Sequence, residues 1–142
     1  MTGPVPEALL ALAFVAIGGG IGSMLRFWVS GVVGRRYGDT FPWGTLAVNL
    51  TGAAAIGVLA AVLLAPDGGT VLHRPAWEGL VIGVLGAYTT VSSFSLQTLA
   101  LARNGEAGRA VANILLSIGL CLAAAAVTLL GTARLLAVWA AP

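Results

Sequence analysis

The stretch that decides the fold is Gly83 to Ser95, GVLGAYTTVSSFS, set in the middle of an otherwise apolar segment. A run of Gly, Ala, Thr and Ser at the centre of a hydrophobic span leaves the backbone free to depart from the helix. Within a bilayer, irregular backbone is tolerated only where it is buried in protein or lines a watery cavity. An interrupted helix carries unpaired carbonyls at the end of its first half and unpaired amides at the start of its second. The break therefore reads as a candidate ion site, and the rest of the chain as a scaffold that holds it at the bilayer midplane.

Working outward, composition sets the class. Of 142 residues, 58% are hydrophobic and 8% charged, against roughly a quarter charged in soluble domains. The chain reads as an all-α integral membrane protein. At about 20 apolar residues per span, its length accommodates four transmembrane helices and no soluble domain. The spans are expected at about Glu7–Val33, Trp43–Leu64, Ala76–Ala102 and 110–131, the third broken between Gly86 and Thr90. Leu135–Pro142 reads as a short apolar tail. The start carries Pro4, Pro6 and Glu7 where a signal peptide needs positive charge, so it reads as a retained first span.

Charge excludes several classes. The net +2 comes entirely from Arg, placed at span ends and in loops rather than in a dense stripe, which leaves no nucleic-acid footprint. Arg35, Arg36, Arg103 and Arg109 face Arg74 and Arg134 across the membrane. By the positive-inside rule this small bias puts both termini outside the cytoplasm, and it leaves dual insertion open. His73 falls in the hydrophilic loop from Pro66 to Pro75 and reads as neither ligand nor catalyst. Cys121 reads as a small packing residue in an apolar run. No nucleophile, base and orienting acid can converge, so the chain does not read as an enzyme.

The span interiors carry no Asp, Glu, Lys or His, whereas proton-coupled transport ordinarily uses an intramembrane titratable group. That argues for passive conduction and against the remote alternative of a small proton-coupled multidrug exporter. The interiors do carry hydroxyls (Thr45, Thr51, Thr89, Thr90, Ser92, Ser93, Ser95, Ser117), amides (Asn49, Asn113, Gln97) and Phe94. Their donors and positive ring edge suit a small anion; the same hydroxyls can equally bond their own helices. Asn49, the interior amide of the second span, reads either as interhelical glue or as a donor facing a polar file. Arg26 reads as a snorkelling interfacial residue, or as one that anchors a dimer or shapes an anion vestibule. Gly18 with Gly22, and Gly79 with Gly83, are close-packing pairs.

Three motifs, GGGIGSMLRF, GTLAVNLTG and GVLGAYTTVSSFS, resemble in order and spacing the signatures of the Fluc/CrcB fluoride channels. The resemblance implies an antiparallel dual-topology dimer in the inner (plasma) membrane, multi-pass and bathed in lipid, with two fluoride pores that export cytoplasmic fluoride passively. It also implies a structural Na⁺ at the dimer centre, held by main-chain carbonyls that map onto Gly86 and Thr89. The fluoride pathway maps onto Asn49, Thr90, Val91, Ser93, Phe94 and Ser117, and the dimer or vestibule arginine onto Arg26. Two positions depart from the family pattern: Val91 replaces the first of two phenylalanines, and Asn113 replaces a Tyr. Those losses fit either a self-sufficient homodimer or a half-pore subunit that pairs with a homologous partner in a heterodimer.

Overall fold

The computed structural model describes residues 4–38, 40–64 and 77–139. The expected loop with His73 and Arg74, the expected start of the third span at Ala76, and the last three residues of the expected tail lie outside them. Helix α1 is Pro4–Tyr37 and α2 is Trp43–Leu64. The third span opens with a π-helical segment, Gly79–Leu85, which continues into one turn of α-helix, α3 (Gly86–Tyr88). After a two-residue interruption come α4 (Val91–Arg103) and α5 (Ala107–Trp139). Among the described residues, four helical stretches are long and apolar enough to cross a membrane.

Several boundaries differ from the sequence expectation, each for a local reason. Helix α1 passes the expected end near Val33 and runs to Tyr37, because Arg35 and Arg36 suit the negative end of the helix dipole. It stops at Gly38, whose φ of 81° and N–H bond to the Gly34 carbonyl (2.8 Å) form a left-handed cap. Helix α5 starts at Ala107 and continues to Trp139, taking in part of the expected tail. The turn before it needs only Asn104–Glu106, with Gly105 at φ 80°, and no proline intervenes before Pro142. In the third span, Gly86 to Tyr88 are still helical, so the interruption is confined to Thr89 and Thr90. The segment before it is π-helical, a form whose short insertions often accompany functional sites.

The two glycine pairs meet each other. A β-carbon at Gly18 would run into the carbonyl of Gly79, and one at Gly22 into that of Val84. Conversely, a β-carbon at Gly83 would lie 2.8 Å from the Val15 carbonyl. Helix α1 and the π-helical segment therefore pack backbone to backbone, the arrangement that small residues permit in membranes. Helix α2 packs most extensively on α5, where Thr128 Oγ1 donates to the Ala54 carbonyl at 2.9 Å. The buried interior is thin and half polar: Leu46, Val48, Ala61 and Ala110 with Thr45, Thr90, Asn113 and Ser117. Large apolar side chains such as Met24, Phe27 and Val127 point outward, as suits a surface solvated by lipid rather than water.

Candidate functional site

The site is assembled at the interruption. Thr89 leaves the helix in an extended conformation (φ −79°, ψ 161°) and Thr90 continues it (φ −153°, ψ 122°). Thr90 then caps α4, its Oγ1 accepting from the Ser93 N–H at 3.2 Å, the role for which Thr is favoured at a helix start. The extended pair is held by α2. Asn49 Nδ2 donates to the Thr90 carbonyl at 2.9 Å, and the Thr90 N–H donates to Asn49 Oδ1 at 2.8 Å. A backbone that has left the helix must find such partners when it is buried, and one amide satisfies both groups. Asn49 thus acts as interhelical glue at the break and keeps one further Nδ2 hydrogen on the wall of a groove.

That groove, about 590 Å³ and open along one side, collects most of the residues singled out from the sequence. Asn49, Thr90, Val91, Phe94 and Ser117 line it, together with Gly86 and Thr89. Among the described residues no carboxylate, imidazole or amine lines it. Val91 is 76% exposed, while Ser117 is buried and donates to Asn113 Oδ1 over a long 3.5 Å. Asn113, 1% exposed, in turn donates to Thr98 Oγ1 at 2.8 Å, tying α5 to α4. Ser93 and Arg26 lie elsewhere: both line a larger cavity, about 800 Å³, into which Thr90 also reaches. There Arg26 Nη1 stands 3.5 Å from the Thr89 carbonyl, and Arg35 lines the same space.

Main-chain oxygens at the break have the donor chemistry a hard cation uses, although the Thr89 carbonyl also accepts from Arg26 Nη1 at 3.5 Å. The Thr90 N–H is engaged by Asn49, so it is not available to the Gly86 carbonyl four residues earlier, its regular helical partner. Uncharged main-chain oxygens at the negative end of a short helix are the donor set that broken membrane helices offer Na⁺.

Two features of the site were not legible in local sequence patterns. Tyr88 OH lies 2.8 Å from Thr51 Oγ1, a contact between residues 37 positions apart that no local pattern announces. Gln97 Oε1 is buried beside the larger cavity without a hydrogen-bond partner among the described residues.

Comparison with known proteins gives a consistent answer. The family described as CrcB-like protein, Camphor Resistance (CrcB), matches residues 13–131. The chain is 54% identical over 121 residues to a Rhodopseudomonas palustris protein named fluoride-specific ion channel FluC 2, covering 84% of this chain and 91% of the relative. It is 51% identical over 111 residues to the FluC 2 of Bradyrhizobium diazoefficiens, covering 78% of this chain and 80% of that one. With the Rhodospirillum rubrum FluC it shares 48% over 109 residues, or 77% and 84% of the two chains. Four apolar helices and relatives named as ion channels make this a multi-pass membrane protein. The chain belongs to the CrcB-like family, the family that its three motifs resemble.

Proposed function

We propose that the chain is a subunit of a fluoride-selective channel through which cytoplasmic fluoride leaves passively across the inner membrane. One observation carries this reading. The groove at the broken helix gathers Asn49, Thr90, Phe94 and Ser117 with no carboxylate, imidazole or amine among the described residues, in a chain whose relatives are named fluoride-specific ion channels. The spare Asn49 amide hydrogen and the Phe94 ring edge can replace part of the water around a small anion. Nothing there takes up a proton, so conduction needs no coupled proton and runs down the fluoride gradient.

The groove is open on one side and apolar side chains face outward, which supports closure by a second subunit. In the proposed channel that subunit is inverted, in a dual-topology dimer. The main-chain carbonyls of Gly86 and Thr89 would hold a structural Na⁺ at the centre. Bound there, the ion supplies a fixed positive charge and a bridge between subunits. Arg26, beside the Thr89 carbonyl, belongs to the vestibule side of the same break.

Val91 favours a second reading. Its exposed, aliphatic side chain occupies a position where the family pattern has a ring, which fits a half-pore subunit that needs a homologous partner. Several relatives carry numbered names, FluC 2, 3 and 4, which accords with more than one such subunit in a cell. Fluoride efflux from liposomes containing only the purified chain, with chloride as control, tests both. Fast efflux confined to fluoride establishes a self-sufficient homodimer. A folded dimer that passes no fluoride supports the heterodimer, and a chain passing chloride equally well rejects fluoride selectivity.

A further inference from the structure

We propose that Tyr88 and Thr51 form a clasp that aims the carbonyls of Gly86 and Thr89, making Tyr88 a positioning residue for the cation site; the inference rests on the sodium reading above. The phenol oxygen of Tyr88 is 2.8 Å from Thr51 Oγ1. Thr51 Oγ1 also lies 2.7 Å from the Ala47 carbonyl, which can only accept. The single Thr51 proton therefore goes to Ala47, and Tyr88 donates to Thr51. Tyr88 is the last residue of α3, immediately before the extended Thr89. On the far side of Thr89, Asn49 holds both main-chain groups of Thr90. Between the two, the Thr89 methyl group sits against Gly52, where a β-carbon would collide with it.

One turn of α2 thus grips the interruption from both flanks, Thr51 before it and Asn49 after it. A main-chain oxygen cannot be re-aimed by changing a rotamer; its direction follows from φ and ψ alone. Fixing residues 88 and 90 to the same helix leaves Thr89 little freedom, and it fixes the end of the turn that carries Gly86. The Tyr88 hydroxyl takes no part as a ligand. Its contribution is the orientation of two oxygens that a cation needs pointed together.

The test is thermal unfolding of the purified full-length protein across a sodium series, with choline replacing sodium at constant ionic strength. Wild type is expected to gain stability with sodium, rising with the logarithm of its concentration once the site fills. Tyr88→Phe, which removes only the hydroxyl, should need about fivefold more sodium for the same gain in stability, the effect of one neutral hydrogen bond. Its melting temperature should match that of wild type in choline alone and fall below it as sodium rises, levelling at a constant deficit. Thr51→Val should give the same shift, and the double variant no more than either single one, because both remove the same bond. A Tyr88→Phe protein destabilised equally at every sodium concentration makes the contact merely structural and overturns the inference. So does a titration identical to wild type, or shifts that add. A wild type indifferent to sodium overturns the sodium reading, and this inference with it.

Discussion

At the scale of single residues, Asn49 carries the sharpest consequence. Asn49→Asp keeps an acceptor for the Thr90 N–H but sets a carboxylate oxygen against the Thr90 carbonyl and a negative charge on the groove wall. Fluoride flux should fall by at least about tenfold, a barrier increase of about 1.4 kcal/mol; unchanged efflux in liposomes would remove Asn49 from the path. Val91→Phe works in the other direction. The position is exposed and accepts a ring, whose positive edge would face an anion. Flux should rise severalfold, and a flat result in a folded protein would take away the main support for the half-pore reading. Asn49 was legible in the sequence because an amide among Leu, Val and Ala demands a partner. Its choice of partner was not, since the bond to Thr90 joins residues 41 apart.

At the scale of elements, the contact between α1 and the π-helical segment depends on the absence of side chains. Gly83→Val would press a β-carbon onto the Val15 carbonyl, where backbone rather than a yielding side chain stands in the way. A destabilisation of about 2 kcal/mol or more is expected, read as a lower melting temperature in detergent. Gly108→Ala, whose β-carbon meets open space, should be neutral or slightly stabilising. The glycine pairs and the presence of an interruption could be read from spacing and composition alone. The π-helical form could not, because an apolar Gly-rich run satisfies α and π periodicities alike. Helix ends were equally opaque: Arg35 and Arg36 read as loop charges, yet they complete the last turn of α1.

At the scale of the whole molecule, the open groove and the outward apolar faces pose the question of orientation. The sole cysteine is Cys121, so Cys121→Ala provides a background for a single reporter, Gly108→Cys, at an uncrowded position. In intact cells, an impermeant thiol reagent should label about half of the molecules if the chain inserts both ways. Complete or absent labelling would mean one fixed orientation, as a heterodimer of oriented subunits requires. The interruption has a further electrical consequence. The negative end of α3 and the positive end of α4 stand back to back across Thr89 and Thr90, each equivalent to roughly half a unit charge. The two nearly cancel at a distance, which leaves the Arg26 guanidinium as the net charge beside the break. In the proposed channel, that one short stretch of backbone would offer a cation and an anion adjacent footholds, and neither would depend on pH.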